Sequence, residues 1–196
     1  MTMTPHHALR LNGAETLVLA SASPRRRELL ARAGVPLQVH TAEVPEASLA
    51  GESPEALVQR LAGAKARAVA ATMPGRLVLG ADTIIVFAGQ VFGKPADLPA
   101  ARAMLRTFAG RRHEVLSGVC LVRDRIEHCW LARTTVRFRS LSDADIDAYF
   151  ALVNPLDKAG AYGIQEHGEM IVAGIDGLLS NVIGLPVEEV LSLLGR

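Results

Sequence analysis

The sequence predicts an α/β fold built on a mixed sheet with two lobes. Three observations predict it. Short apolar, β-branched runs alternate with capped helical segments through residues 16–108. An alternating pair of segments, 113–122 and 126–139, then reads as an antiparallel hairpin about Asp124-Arg125. A last amphipathic helix over 187–194 closes the chain after Pro186.

Taken in order, residues 16–20 (Thr-Leu-Val-Leu-Ala) read as a buried strand. Ser23 is a good N-cap, Pro24 suits the first helical position, and Gly34 ends that helix. Residues 35–41 read as a second strand and 42–51 as a loop carrying Glu43 and Glu46, with Glu52 beside it. Ser53-Pro54-Glu55 opens a second helix, in which Leu57, Leu61, Ala64 and Ala68 form a core-facing stripe. Residues 77–80 and 83–87 are expected as two strands separated by Asp82, with a turn at 88–90 and a return beginning at 91–92. Asp97 caps a helix to residue 108, Ser142 caps another to about residue 152, and 159–172 is glycine-broken and irregular.

The chain has 196 residues, a net charge of +1 and 49% hydrophobic residues. These values exclude a disordered chain and a strongly basic scaffold for a polynucleotide. No stable nucleic-acid complex is expected, and the 4% aromatic content gives little stacking platform for single strands. No apolar run is long enough to span a bilayer, and no secretory signal precedes residue 17, so a cytoplasmic location without membrane attachment is expected. Residues 1–12 read as a flexible arm and 13–196 as one catalytic domain. Cys120 and Cys129 fall opposite each other on the hairpin and are expected to be two semi-buried free thiols.

Three segments carry candidate chemistry. Ser21-Ala-Ser23-Pro24-Arg25-Arg26-Arg27 places hydroxyls and guanidinium groups at a helix N-terminus, where backbone N–H groups favour an anion. Three positive charges in a first helical turn oppose the dipole, so the placement points to a ligand rather than to stability. Gly80-Ala-Asp82-Thr83 sets a carboxylate inside an apolar stretch, where it needs a cation, a metal or hydrogen bonds. Gly93-Lys94-Pro95 lacks the first glycine and the terminal Ser/Thr of a P-loop, which excludes that class of kinase or GTPase. Asp157-Lys-Ala-Gly-Ala-Tyr-Gly-Ile-Gln165 joins small residues to one planar amide. Asp143, Asp145 and Asp147 imitate an EF-hand, but Ala148 and Asn154 stand where Gly and Glu are required. The six histidines show no zinc-ligand spacing.

These segments, with Lys65-Ala-Arg and residues 180–186 (Ser-Asn-Val-Ile-Gly-Leu-Pro), occur in an order that resembles the Maf family of nucleoside triphosphate pyrophosphatases over nearly the whole chain. The resemblance implies an inosine-triphosphatase-like fold with a central cleft. It also implies cleavage of a nucleoside triphosphate to the monophosphate and pyrophosphate with a divalent cation, Mg²⁺, Mn²⁺ or Co²⁺. By the same resemblance, Asp82 is the proton acceptor that activates water. Ser21, Ser23, Arg26, Lys65 and Lys94 bind phosphate. Glu46, with Glu43 as the fallback, joins Asp82 in holding the metal.

Arg25, Thr83 and Gln165 occupy the positions that separate subgroups, and the set looks like the branch acting on dTTP and UTP. An amide at Gln165 suits uracil and thymine, since it donates to O4 and accepts from N3–H. Glu166-His167-Gly168 follows where the family pattern carries Gly directly. A homodimer is compatible with the resemblance. The competing expectation is a non-enzymatic, nucleotide- or nucleic-acid-binding regulator of cell division, a role with which the family is also associated.

Overall fold

The computed structural model describes residues 9–196. Its strands are β1 (Leu17–Leu19), β2 (Leu37–Val39), β3 (Val78–Phe87), β4 (Gln90–Phe92), β5 (Arg112–Arg123), β6 (Ile126–Phe138) and β7 (Val172–Asp176). Its α-helices are α1 (Pro24–Arg32), α2 (Pro54–Ala70), α3 (Leu98–Phe108), α4 (Asp143–Phe150), α5 (Leu179–Ile183) and α6 (Val187–Leu194). The sheet order is β2-β1-β3-β5-β6-β7, with β4 paired to β3. β1 runs parallel to β2 and β3, whereas β3–β4 and β6–β7 are antiparallel, so the expected mixed α/β class holds.

The helix starts follow from capping chemistry. Ser23, Ser53 and Asp97 accept hydrogen bonds from the backbone N–H of Arg26, Ala56 and Ala100, each worth about 1 kcal/mol. Ser142 and Asp145 form a reciprocal capping box.

The expected break at Asp82 is absent: residues 78–87 form one continuous strand, and Asp82 projects from its middle. Strand ladder bonds are made by the backbone, so a carboxylate interrupts the apolar pattern without interrupting the strand. The stretch after residue 159 is irregular as expected up to two short 3₁₀ turns. It then yields β7 and α5, whose glycines and exposed positions mask their periodicity. The cysteines are a correction as well. Cys120 and Cys129 are joined in a disulfide, their Cα atoms 4.0 Å apart, rather than standing as free thiols. Facing positions on a tight hairpin bring the sulfurs within bonding reach, a constraint that outweighs the burial preference used to expect free thiols.

Two compact units emerge from the chain. The first takes in the described residues up to Thr83 with Ser117–Ala132 and Gly184–Arg196. The second is Ile84–Leu116 with Arg133–Ile183. In the first, Leu17, Leu19, Leu77, Leu79, Leu121 and Val190 form one core, and Val18, Val78, Cys120, Ala62, Ala66 and Val69 form another. In the second, Phe108, Phe138, Ile146, Tyr149 and Tyr162 centre the core, with His113 stacked among its rings. Of the arm expected over residues 1–12, residues 1–8 lie outside the described residues, while Leu9 is buried in the first unit's core. Among the described residues no helix is long and apolar enough to cross a membrane.

Two glycines set how closely α2 lies on the sheet of the first unit. A Cβ at Gly80 would stand 2.3 Å from the Ala62 carbonyl oxygen, and one at Gly118 would stand 2.1 Å from that of Val58. Helix backbone rests directly on strand backbone at both points. That approach fixes the height of Lys65, which α2 carries beside β3.

Candidate active site

Most of the residues singled out in the sequence assemble within the first unit. Asp82 projects from β3 and Lys65 from α2. The Lys65 ammonium lies 2.7 Å from Asp82 Oδ1 and 2.6 Å from Glu46 Oε1. The Lys65 and Asp82 side chains are largely buried, at 15% and 14% exposure, whereas that of Glu46 is 64% exposed. One cation thus draws together the two carboxylates expected to hold a metal, one from a strand and one from the loop after β2. Glu43 is exposed on the same loop.

Arg26 lies in the first turn of α1 and is buried. Its guanidinium donates from Nε to the Gly184 carbonyl at 2.9 Å and from Nη1 to Ala81 O at 2.9 Å and Ser21 Oγ at 3.0 Å. From Nη2 it donates to Thr83 Oγ1 at 3.1 Å. All four acceptors are uncharged oxygens. Burial pulls the arginine below its ordinary value, and the nearby Asp82 carboxylate pulls the other way. Four of the five N–H groups therefore have a protein acceptor, and one on Nη2 has none among the described residues. Ser21 also receives the Ser23 N–H, while Ser23 caps α1. Arg25 is half-buried at the start of the same helix.

Lys94 and Gln165 belong to the second unit. Both are exposed, Lys94 after β4 and Gln165 in the chain between the two 3₁₀ turns. Gly160 donates to the Gly93 carbonyl at 2.9 Å, which ties the Gly-Lys-Pro bend to the glycine-rich segment. Lys158, buried, anchors the stretch bearing Gln165. Its ammonium meets Asn154 O at 3.0 Å, Asp157 Oδ1 at 2.8 Å and Glu166 Oε2 at 3.0 Å. Glu166, the departure noted after Gln165, is thus a counter-ion of a buried lysine.

The arrangement combines a buried guanidinium, an ammonium shared by two carboxylates and a helix start, the elements of a polyphosphate site. The Maf-like protein family matches residues 16–196. The chain belongs to the Maf family. A Moorella thermoacetica protein named dTTP/UTP pyrophosphatase is 51% identical over 187 residues, covering 91% of this chain and 95% of its own length. Proteins of the same name from Anaeromyxobacter dehalogenans (strain 2CP-1) and Myxococcus xanthus are 50% and 48% identical, over 93% and 95% of this chain and 94% and 95% of theirs.

Two roles at this site escape a reading of the sequence, that of Ser117 and that of Gly184 within the matched segment 180–186. Ser117, wholly buried on β5, lies 2.8 Å from Thr83 Oγ1, and Gly184 supplies a carbonyl to both Arg26 and Thr83. The only signal for Ser117 is a lone hydroxyl inside the apolar run 115–122, a pattern too common in strands to single it out.

Proposed function

We propose that the protein hydrolyses dTTP and UTP to the nucleoside monophosphate and pyrophosphate. The observation that carries this reading is the convergence of Asp82 and Glu46 on Lys65, beside a buried Arg26 with one N–H unpartnered among the described residues. The names of relatives near 50% identity over almost their full length support the substrate choice.

In this reading a water oxygen forms a bond to the α-phosphorus as the α–β bridging bond breaks. Asp82 takes the water's proton, and pyrophosphate leaves. Arg25, Arg26, Lys65 and Lys94, with the hydroxyls of Ser21 and Ser23, offset charge on the phosphates. Gln165, with Arg25, governs base choice in this reading, while the Thr83 hydroxyl is bonded to protein.

Among the described residues no three metal-type side chains cluster. Two carboxylates already gathered about one cation nevertheless fit a hard divalent ion such as Mg²⁺, which takes one or two carboxylates and completes its shell with water and substrate phosphates. Glu46 and Asp82 would hold that ion, which when bound polarises phosphate oxygens. Mn²⁺ and Co²⁺ suit the same donors. The reading sets the enzyme in the cytoplasm, acting on free nucleotides without a nucleic-acid partner, as a monomer or a homodimer.

The test is a screen of the wild-type chain with UTP, dTTP, CTP and GTP, each with Mg²⁺, Mn²⁺ or Co²⁺, in which pyrophosphate and orthophosphate are separated. Pyrophosphate from UTP and dTTP is expected. Asp82→Asn is expected to lower kcat on the order of 10³-fold with little change in KM. Orthophosphate as the product, or full activity in the variant, rejects the reading.

A further inference from the structure

Thr83 sits at a position the family resemblance links to base choice, yet its hydroxyl is already committed to protein. A threonine hydroxyl offers one O–H donor and two acceptor lone pairs. Thr83 Oγ1 accepts from Arg26 Nη2 at 3.1 Å and donates to the Gly184 carbonyl at 3.0 Å. Ser117 Oγ lies 2.8 Å away, and with the threonine proton directed at Gly184, Ser117 is the donor. Two lone pairs and one proton are thereby used up. Nothing in that hydroxyl is left for a nucleobase.

What the saturated hydroxyl does hold is Arg26. The same guanidinium grips Ala81 O on the residue before Asp82 and Gly184 O from the segment before α6. Thr83 closes this loop of bonds from the residue after Asp82. The carboxylate is therefore flanked on both sides by strand positions that Arg26 braces, and Ser117, on the neighbouring strand β5, fixes the orientation of the threonine that braces it.

We propose that Ser117 is a positioning residue for hydrolysis: it completes the hydrogen-bond shell of the Thr83 hydroxyl, which steers Arg26 and through it the Ala81-Asp82-Thr83 backbone, so that Thr83 influences the reaction without its hydroxyl reading the base. The inference rests on the pyrophosphatase reading for its kinetic consequences, and on geometry alone for the bonding.

The experiment compares Ser117→Ala, Thr83→Val, Thr83→Ser and the Ser117→Ala/Thr83→Val double variant with wild type, at equal folded fraction, on UTP and CTP. Amide hydrogen exchange at residues 81–83 and 184 is measured in parallel. Loss of one buried neutral hydrogen bond corresponds to about tenfold. Ser117→Ala is expected to lower kcat about tenfold and Thr83→Val, which also gives up the bonds to Arg26 and Gly184, by at least that much, each with KM within about twofold. Thr83→Ser, which keeps the hydroxyl, stays within about threefold of wild type, and the double variant falls no further than Thr83→Val alone. The UTP-to-CTP preference is unchanged throughout, and exchange at 81–83 accelerates in the two single variants that break the shell.

Losses of the two singles that multiply in the double variant overturn the proposal. So does a Thr83→Val variant whose UTP preference collapses while Ser117→Ala is silent, and so does unchanged exchange. A wild-type chain inactive on every triphosphate, with exchange altered as expected, rejects the pyrophosphatase reading and with it the kinetic role, while supporting the hold of Ser117 on the Ala81-Asp82-Thr83 backbone.

Discussion

Asp82 shows how one side chain can be conspicuous in a sequence. A carboxylate inside a run of Leu, Ala, Ile and Val needs a cation, a metal or hydrogen bonds, and Lys65 supplies the cation at 2.7 Å. Gln165 is different: an exposed amide carries no such signature, and its proposed role comes from family likeness and from the Lys158 anchor beneath it. Replacing it tests base reading directly. Gln165→Glu is expected to lower kcat/KM for UTP relative to GTP by about tenfold, since a carboxylate accepts at both oxygens and cannot donate to O4. An unchanged UTP-to-GTP ratio would remove the amide from base choice. Arg26 was legible as a cation at a helix start but not as a brace, because its four acceptors come from Ser21, Ala81, Thr83 and Gly184, which lie up to 158 residues away.

At the scale of elements, capping residues made most helices readable: Ser23, Ser53, Asp97 and Ser142 each start a helix where expected. β7 and α5 were not readable, because Gly174 and Gly177 punctuate them and several of their positions are exposed. The contact of α2 with β3 and β5 was equally hidden. Gly80 and Gly118 are remote from each other along the chain, and only the folded sheet shows that both clear a path for the helix backbone.

This yields a prediction about the element rather than about chemistry. Gly118→Ala would force its methyl against Val58 O, so α2 must lift or tilt. Stability is expected to drop by about 1–3 kcal/mol, read from the urea midpoint, and kcat to fall with it as Lys65 leaves Asp82. A variant with wild-type stability would show that the helix does not rest on that strand.

For the molecule as a whole, stability should depend on pH through His113 and, at lower pH, through hydrogen-bonded carboxylates such as Glu52. Burial of His113 depresses its imidazole from 6.5 to about 4. The folded chain therefore keeps that ring neutral while the unfolded chain protonates it. Stability is full above pH 6.5, falls as pH drops toward 4, and loses about 3 kcal/mol in total across that window. Glu52 lies lower, held at about 2 by hydrogen bonds from Arg60 and the Leu49 N–H; its contribution is present above its ordinary value of 4.5 and is lost as pH falls through about 2. Denaturation midpoints at pH 7, 5.5 and 4.5 read the histidine almost alone. His113→Phe should flatten that slope while keeping the ring contacts with Phe108 and Phe138. A slope identical to wild type would assign the effect to other groups.

The lysine between Glu46 and Asp82 has a consequence for the order of events. Each carboxylate already has a positive neighbour, so a divalent ion approaching by itself meets an incumbent of its own sign. An ion riding on a polyphosphate would bring oxygens able to accept the Lys65 ammonium in place of the carboxylates. Were Glu46 and Asp82 to hold the proposed ion, admission would be joint: cargo and metal would enter as one body, and neither would be favoured to wait for the other.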